Sequence, residues 1–339
     1  MNRINQLLDD EYVITYLKKR ILPSYPDFVD IKKVVIKPWK KLIWETTYHV
    51  VIEFVTTFVD KKGKRRELPI FCTAHSTEPR KNVYDNLKFL WSHGFGDGYL
   101  SIPHPLYYSD YFRATFYRGV KGSNLYYFIR ESNFPIIEDM VPKTAKWFSR
   151  LHKLKVSDEQ RFNEDNSRIK TVYPGVEHTL ERIQNDFPEY YDFYVKAYAI
   201  FVKNEEEFLS STSKRWLVHG DAHPENVIRM GKRKIGVIDF TDLSFTDFAR
   251  DLGTFSQQLE YMCSRKIADE SYQKKIKNLF LDSYFKSSRV KLTEDLQKRI
   301  DNYYNWTAIR TATFLLLKYD PNPERAQILI DRVKQNLNI

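Results

Sequence analysis

The sequence has little cysteine and no long apolar run. Its 339 residues include two cysteines, Cys72 and Cys263, which are far apart and too few for a disulfide framework. No stretch approaches the length and apolarity of a membrane span, and residues 1–20, which include three acidic residues, are not expected to be a signal peptide. These absences argue against disulfide-rich secreted and membrane-spanning classes, so a reducing cytoplasm is the simplest expected setting.

The sequence also lacks internal repeats, low-complexity segments and a concentrated basic patch. Hydrophobic residues make up 42% and charged residues 29%, which is ordinary for a globular protein long enough to form two lobes. The net charge of +10 invites a nucleic-acid interpretation, but the basic residues are spread along the chain. The cluster at 61–66 lies between two strand-like runs and predicts a solvated hairpin tip. Nucleic acid is therefore not expected to be the main partner.

The most informative segment covers residues 216–240. Asp221 follows His219 and Gly220 at the end of an apolar run, where a carboxylate can accept a proton from an attacking hydroxyl. Asn226 and Asp239 flank two further apolar runs, and amide and carboxylate oxygens are hard ligands that suit Mg²⁺. The segment therefore predicts a phosphoryl-transfer site with Asp221 as the base and Asn226 and Asp239 as metal ligands.

A short basic turn at 230–234 separates the last two apolar runs and predicts a β-hairpin. If Lys232 and Arg233 are the two loop residues, Asn226 lies directly opposite Asp239. The Cβ atoms of facing residues are about 4.5–5.5 Å apart, which suits two ligands of one small cation. Because Lys-Arg is a poor type I′ dipeptide, a register shifted by two residues stays open.

Two other interpretations of this segment compete with the first. His219, Asp221 and His223 form an H-x-D-x-H string that could bind zinc, although a hydrolytic zinc site needs more His or Cys ligands and no H-E-x-x-H occurs elsewhere. Alternatively, Asp221 and Asn226 are ordinary turn residues and His219 is a buried histidine with its hydrogen bonds satisfied. The presence of Asp239 at its expected place favours the phosphoryl-transfer interpretation.

At these residues the chain resembles the aminoglycoside phosphotransferase/choline kinase family, which has a protein-kinase-like fold. The family's catalytic-loop pattern, His-Gly-Asp-x-x-x-x-Asn, is matched from His219 to Asn226, and its metal-binding Ile-Asp-Phe is matched at 238–240. Weaker likenesses occur at 84–90, 145–152 and 247–252. The resemblance implies ATP-dependent phosphorylation of a hydroxyl on a small molecule, with Asp221 as the base and with Asn226 and Asp239 holding magnesium.

The sequence departs from the family in the half that would bind the nucleotide. The third strand of the first lobe, over 68–76, lacks the family's lysine, and Val83 stands where the family has the glutamate that pairs with it. Losing both suggests one coordinated change, because either charge alone would be left unpaired. The candidates to replace the lysine are Lys37, Arg80 and Lys81. The loop predicted over 38–46 has no glycine, so a glycine-rich phosphate cradle is absent.

The order of predicted elements indicates an α+β fold with two lobes, similar to protein kinases. Residues 1–118 are expected to form a small, β-rich, nucleotide-binding lobe with an N-terminal helix. Residues 119–339 are expected to form a larger, mostly helical lobe with the catalytic loop and the acceptor site. By the resemblance, backbone groups near Tyr117, within a hinge at 116–120, meet the adenine. The individual elements are expected as helices over 1–22, 82–93, 189–210, 255–287, 293–318 and 323–337, and as strands over 34–76 and 101–127.

The C-terminal helices are, by the resemblance, the wall of the acceptor site. Residues 256–339 contain 10 acidic and 15 basic residues, whereas a polycationic aminoglycoside would prefer an acidic wall. This balance favours a neutral or anionic hydroxyl compound, such as a sugar, a nucleoside-like molecule or a phosphorylated metabolite. Tyr303, Tyr304 and Trp306 could stack on a ring or hold a quaternary amine, but such residues on a helix more often pack in the core. Arg310 follows Trp306 by about one helical turn and is expected on the same side.

The sequence therefore predicts a cytoplasmic small-molecule kinase that uses Mg²⁺ and ATP or GTP. Its expected partners are a nucleotide and a small-molecule acceptor, with no membrane. Positioning and charge neutralisation would supply most of the catalysis, and His219 would brace the catalytic loop. The alternative is a pseudokinase-like protein that binds a nucleotide or metabolite without phosphoryl transfer. The missing lysine–glutamate pair favours this alternative, and the complete set of Asp221, Asn226 and Asp239 opposes it.

Overall fold

The computed structural model describes residues 2–78, 81–96, 98–156, 162 and 165–339, so Arg80 lies outside the described residues. The strands are β1 (Phe28–Ile43), β2 (Tyr48–Asp60), β3 (Arg65–His75), β4 (Leu100–Ser101), β5 (His104–Ser109), β6 (Ala114–Arg118), β7 (Ser123–Asn124), β8 (Trp216–Val218), β9 (Val227–Arg229), β10 (Ile235–Val237) and β11 (Ser244–Thr246). The helices are α1 (Asp10–Arg20), α2 (Lys81–Leu90), α3 (Leu125–Arg130), α4 (Phe134–Leu151), α5 (Val176–Asp186), α6 (Tyr191–Ser211), α7 (Ala249–Ser264), α8 (Glu270–Ser288), α9 (Glu294–Leu317) and α10 (Pro323–Leu337).

The chain divides into two compact units. The first contains residues 1–123 and 228–241, and the second contains residues 124–227 and 242–339. The N-terminal unit thus extends five residues beyond the boundary predicted at 118. It also includes the segment with Asp239, which the sequence had assigned to the C-terminal lobe.

The first unit is built on a five-stranded antiparallel sheet in the order β1-β2-β3-β6-β5. Alternate residues of β2, including Ile52 and Phe54, are fully buried, as expected for a strand with one face on a core. Val13 and Leu17 of α1 belong to the same apolar cluster, so this helix packs on that face. The helix predicted over 1–22 is present as a short 3₁₀ turn followed by α1.

The connection between β1 and β2 differs from the prediction. Residues 38–43 were expected in a loop, but they continue β1 and pair with β2, with Leu42 opposite His49. The turn is Trp44–Thr47, closed by a hydrogen bond of 2.9 Å from the Trp44 N–H to the Thr47 carbonyl. Pairing with β2 extends the strand this far because it satisfies backbone groups that a loop would leave to water.

The basic hairpin turn is also longer than predicted. Strands β9 and β10 form where expected, but the Met230 N–H donates to the Lys234 carbonyl at 2.9 Å. Three residues, Gly231 to Arg233, therefore lie between the paired positions instead of two. The predicted two-residue loop was wrong, and the register that placed Asn226 directly opposite Asp239 is not supported.

The second unit is mostly helical. The helices predicted over 189–210, 293–318 and 323–337 are confirmed as α6, α9 and α10. The helix predicted over 255–287 was wrong. It is divided into α7 and α8, because Asp269 caps the second helix by accepting hydrogen bonds from the N–H groups of Ser271 and Tyr272. The strand predicted up to 127 also ends early, because the Asn124 side chain caps α3 at the Tyr127 N–H.

Helix α7 lies at the centre of the second unit. Thirteen of its sixteen residues are buried, including Arg250 and Asp251 in its first turn. A polar first turn this deeply buried must find its partners within the protein. Next to it, β8 pairs with β11, with Val218 opposite Ser244. Both cysteines of the chain are buried and free. No helix in the described ranges has the length and apolarity needed to cross a membrane.

Candidate active site

The predicted catalytic loop leaves β8 through a glycine that the backbone requires. Gly220 has a φ of +84°, a conformation that L side chains rarely adopt. A Cβ atom at this position would lie 2.2 Å from the carbonyl oxygen of Asp242, far inside contact distance. Strain and close backbone approach therefore both demand glycine here, and Asp221 follows directly.

His219 is completely buried and braces this loop. Its Nδ1 atom accepts a hydrogen bond of 3.3 Å from the backbone N–H of Asp221. The ring lies edge-on to Trp147 and Phe148 of α4, with centroids 6.1 and 6.3 Å away. These contacts fix the imidazole as part of the protein interior, so it orients the loop and is not exposed to a substrate.

Asp221 is accessible, with 43% of its side chain exposed. Its Oδ2 atom lies 3.3 Å from Nε2 of His223 and 3.3 Å from Nδ2 of Asn226. Desolvation alone would raise the pKa of Asp221. The hydrogen bond and charge of His223, with the more distant charges of His219 and Arg310, instead bring this pKa below its usual value. The carboxylate is thus ionised at neutral pH.

Asn226 turns its amide nitrogen towards Asp221. It ends a 3₁₀ turn, Pro224–Asn226, and is buried, with 6% of its surface exposed. Its Nδ2 donates to the Asp221 carbonyl oxygen at 3.0 Å as well as to the carboxylate. Both hydrogen bonds use the nitrogen, so the amide oxygen is left to receive another group. An amide oxygen in this position suits a magnesium ligand.

Asp239 lies in the first unit and has an unusual backbone. Its φ is +64°, a region that Asp and Asn tolerate better than most side chains. Its Oδ1 accepts a hydrogen bond of 2.8 Å from the Thr241 hydroxyl, and the residue is otherwise exposed. The next residue is fixed from α2, because Asn86 Nδ2 donates to the Phe240 carbonyl at 3.1 Å. The second carboxylate oxygen thus stands on a held segment and is available to a cation.

The donors of each unit suit magnesium better than zinc. In the second unit Asn226 offers an amide oxygen that the described hydrogen bonds do not use, and in the first unit Asp239 offers a carboxylate oxygen. Hard oxygen ligands are what Mg²⁺ prefers. Within the described ranges, no group of three or more His, Cys, Asp or Glu side chains is placed to hold a metal ion. His219, moreover, spends its Nδ1 on a backbone N–H, which does not suit the zinc interpretation of H-x-D-x-H.

The predicted nucleotide-side residues all lie in the first unit. Tyr117, on β6, stacks on Phe71 of β3 with a centroid distance of 5.8 Å. Burial, with a contribution from the negative charge of Asp239, raises the pKa of Tyr117 to about 12. Paired residues continue across the sheet from β3 to β1: Phe71 lies opposite Glu53 of β2, and Glu53 lies opposite Lys37 of β1. At about 4.8 Å per strand, Lys37 lies about 14 Å from Tyr117 on the same face of the sheet.

The other candidate cation, Lys81, is already paired. It lies at the start of α2 and makes an exposed ion pair of 2.8 Å with Asp85, one helical turn away. Val83, at the position of the missing glutamate, is buried in the apolar interior. Helix α2 is instead tied to the segment after Asp239 by the uncharged amide of Asn86, which sequence reasoning did not identify.

Sequence reasoning also missed the carboxylate that holds the catalytic loop. Asp251 is fully buried and accepts hydrogen bonds from the backbone N–H groups of His219 and Gly220, at 2.8 and 3.0 Å. His152 lies 3.0 Å from the same carboxylate. Burial opposes ionisation of Asp251, but His152 and these donors lower its pKa. The signal is present in the sequence, because segments 145–152 and 247–252 both resemble the family weakly.

A second missed residue is Arg250, which connects the loop to α9. It is buried, with 1% of its surface exposed, and its guanidinium donates to the Gly220 carbonyl at 3.1 Å and to the Asn166 carbonyl. Its Cζ atom lies 5.4 Å from the centroid of the Trp306 ring. The loop is therefore held from both sides, by a carboxylate on its N–H groups and a guanidinium on a carbonyl.

Two aromatic residues in the middle of α9, Tyr303 and Trp306, are part of the interior. Tyr303 and Trp306 are 2% and 1% exposed, so the prediction of core packing is confirmed for both. The hydroxyls of Tyr303 and Tyr304 donate to Glu205 and Glu260, at 2.9 and 3.0 Å. Arg310 does lie on the same side as Trp306, with its Cζ atom 4.9 Å from the ring centroid.

Comparison with known proteins places the fold. The model of the phosphotransferase enzyme family matches residues 47–273. No curated protein matches the chain in sequence. Among solved structures, an ethanolamine kinase of Plasmodium vivax has a TM-score of 0.57 and 13% identity, covering 95% of this chain and 86% of its own. A choline kinase of Streptococcus pneumoniae has a TM-score of 0.56 and 14% identity, covering 96% and 98%.

A spectinomycin phosphotransferase, solved with ADP and spectinomycin, is similar in the same way, with a TM-score of 0.55, 12% identity and coverage of 96% and 94%. At these identities the likeness shows the fold. It confirms the predicted α+β, protein-kinase-like class, and the match to the family model confirms the resemblance first seen in the catalytic-loop pattern.

Proposed function

The chain belongs to the phosphotransferase enzyme family, and we propose that it is a small-molecule kinase that transfers a phosphoryl group from Mg-ATP or Mg-GTP to a hydroxyl. The observation that carries this proposal is the state of Asp221. An ionised, accessible carboxylate stands on a loop that hydrogen bonds hold at the N–H groups of Gly220 and Asp221 and at the Asn226 amide. A chain without a reaction to perform has no need of this arrangement.

In this proposal Asp221 orients the acceptor hydroxyl and accepts its proton. Because its pKa is low, it is a weak base, and the proton moves late, once the hydroxyl oxygen has begun to bond to phosphorus. Asn226 and Asp239 would hold Mg²⁺, which neutralises charge on the phosphates when bound. His219 keeps the loop in position from the interior and does not exchange a proton with the substrate.

On the nucleotide side, we assign the adenine to the region of Tyr117 and the phosphate cation to Lys37. Tyr117 and Lys37 share one face of the sheet at a separation of about 14 Å, estimated from strand spacing, which is comparable to the length of an extended nucleoside triphosphate. Lys37 is exposed and could bind a phosphate directly, whereas Lys81 would first have to break its ion pair with Asp85. Lys37 is therefore the better replacement for the missing lysine.

The reaction class is supported by the relatives, since the solved neighbours are phosphotransferases and kinases of small molecules. Two free, buried cysteines are compatible with a reducing cytoplasm, where nucleoside triphosphates are available. The competing proposal, a pseudokinase-like binding protein, rests on the absent lysine–glutamate pair and the glycine-free turn at 44–47.

The deciding experiment is the thermal shift of the wild type and Asp239→Asn with Mg-ATP and with Mg-GTP. Asparagine tolerates the positive φ of residue 239, so this variant removes the charge with little backbone strain. At a hundredfold excess over Kd, a bound nucleotide should stabilise the wild type by about 2.7 kcal/mol. The variant should lose this stabilisation, while Asp27→Asn, an exposed residue of the same unit, should retain it.

Two outcomes would count against the proposal. An equal shift in wild type and Asp239→Asn would remove Asp239 from the metal site. No shift with either nucleotide would reject the kinase and favour the pseudokinase-like protein. If a shift is seen, ATP consumption in a pool of cellular metabolites then separates transfer from binding alone.

A further inference from the structure

One cavity of the second unit is lined by Arg310, whose positive charge contributes to the low pKa of Asp221. It has a volume of about 410 Å³, and its walls come from residues 169–176, from Tyr198 on α6 and from the C-terminal half of α9. Phe314, which is 66% exposed, supplies aromatic surface, and the cavity is large enough for a ring with two or three substituents.

The lining residue Arg310 lies over the Trp306 ring, with its Cζ atom 4.9 Å from the centroid. Arg250 lies over the same ring at 5.4 Å and donates to the Gly220 carbonyl of the predicted catalytic loop, so Trp306 connects the cavity wall to that loop.

The charge of this cavity is of one sign. Among the described residues that line it, Arg310 and Lys318 are basic and none is acidic. A concave surface with this lining attracts anions and repels cations. A quaternary amine or a polyamine would find no carboxylate among the described residues that line the cavity.

Arg310 itself is left with donors to spare. Its guanidinium makes a hydrogen bond of 3.3 Å to the Tyr173 carbonyl and lies over the Trp306 ring, and no ion pair joins it to any residue in the described part of the chain. Desolvation, together with the nearby positive charge of Arg250, lowers the pKa of Arg310. The carboxylates of Asp221 and Asp242 act in the opposite direction. The donors that Arg310 does not use are available to an anion, because a guanidinium offers a planar fork that matches carboxylate and phosphate.

We propose that this cavity receives the acceptor, and that the acceptor is a hydroxyl compound with a carboxylate or phosphate group that binds Arg310. The inference rests on the proposed kinase function and narrows its substrate class. Phe314 would contact the apolar part of the molecule, and Arg310 would hold the anionic group while the hydroxyl reaches Asp221. Aminoglycosides, choline and ethanolamine are cations and would be excluded.

The test uses three compounds that share a benzyl group and a hydroxyl but differ in charge: 3-phenyllactate, 3-phenylpropane-1,2-diol and phenylalaninol. Binding to the full-length protein is measured by calorimetry or ligand-observed NMR. The anion should bind at least about tenfold more tightly than the cation, as expected for a charge-assisted hydrogen bond to a guanidinium. Phenyl phosphate, run alongside, shows whether the site prefers phosphate to carboxylate.

Arg310→Gln should abolish this preference, so that the three compounds bind within about threefold of one another, because the charge that distinguishes them is gone. The matched control is Lys286→Gln, which removes one positive charge from the exposed surface of α8, away from the cavity. It should leave the preference for the anion unchanged.

Three results would overturn the inference. Phenylalaninol could bind as tightly as phenyllactate. Phenyllactate could also fail to bind, with a Kd above about 10 mM. Alternatively, Arg310→Gln could weaken Mg-ATP as much as phenyllactate, which would assign the guanidinium to the nucleotide. The Mg-ATP thermal shift of the wild type, measured on the same samples, tests the kinase separately. Anion preference without a nucleotide shift would retain the anion site and reject the kinase.

Discussion

The carboxylate of Asp251 accepts a hydrogen bond from the backbone nitrogen of His219 at 2.8 Å, across 32 positions of sequence. This bond joins the first turn of α7 to the start of the catalytic loop. His152 contacts the same carboxylate and lowers its pKa, so Asp251 is ionised although its side chain is completely buried. The position of Asp221 therefore depends on a charge that no substrate touches.

Replacing Asp251 by asparagine should disturb the loop without removing the reacting group. Asparagine can accept only one of the two backbone hydrogen bonds and must turn its amide nitrogen towards the other donor. An unsatisfied buried donor costs about 1–3 kcal/mol of folding stability. We expect urea denaturation of Asp251→Asn to show a loss of this size and ATP consumption with acceptor to fall at least about tenfold, since 1.4 kcal/mol is worth a factor of ten. Asp282→Asn, an exposed change on α8, serves as the control, and equal behaviour of the two variants would remove Asp251 from a positioning role.

Asp221→Asn should separate turnover from nucleotide binding. Loss of a positioned general base typically lowers kcat by about 10²–10⁴-fold, whereas this residue is not assigned to the nucleotide. ADP formation should therefore collapse while the Mg-ATP thermal shift persists. Glu225→Gln, four residues along the same loop, should stay within about twofold because a surface charge change of this kind has small effects. Retained turnover in Asp221→Asn would refute the assignment of the base.

Gly220→Ala should be far more damaging than the same substitution at another positive-φ glycine. At Gly220 the added Cβ meets the Asp242 carbonyl oxygen at 2.2 Å, so the loop must move. Gly63, at the tip of the β2–β3 hairpin, has a φ of +79° with nothing within 4 Å of the new Cβ. Chemical denaturation should show a loss of about 1 kcal/mol for Gly63→Ala, from the left-handed backbone alone, and clearly more for Gly220→Ala. Equal losses in the two variants would mean that the contact with the Asp242 carbonyl does not affect the free energy of unfolding.

Glu205 should make the protein less stable as the pH rises. Burial raises its pKa to about 7, although the Ile169 N–H and the Tyr303 hydroxyl both donate to it. A raised folded-state pKa means that the native protein holds the proton more tightly than the unfolded chain. Its stabilising effect is full below about pH 4.5 and is lost as the pH rises towards 7.

The predicted size of this effect is about 2–3 kcal/mol between pH 5 and pH 8, from a shift of roughly two units over that interval. We expect urea denaturation of the wild type to show this decline relative to Glu205→Gln, which cannot ionise. Glu206→Gln, the exposed neighbour on α6, should follow the wild-type slope. Parallel pH curves for the wild type and Glu205→Gln would show that the carboxyl does not titrate in this range.

The sequence predicted best what local physics decides. The α9 and α10 boundaries follow from capping residues and apolar periodicity, and both helices lie where they were expected. The predictions from sequence were wrong where the local sequence was compatible with two different structures. Asp269 begins a new helix inside an apolar pattern that continues through it, and β1 extends through residues 38–43 because a partner strand was present to pair with them.

The sequence by itself determined the catalytic-loop pattern and its polar side chains, because these residues are close neighbours along the chain. Only the tertiary structure decided what holds them: Asp251 on the N–H groups of 219 and 220, and Asn86 on Phe240 across 154 positions. The tertiary structure also decided that Arg310 lines a cavity and that its charge helps to lower the pKa of Asp221. The physical reason is that buried polar groups must be paired within the fold, and their partners come from whichever distant segment packs beside them.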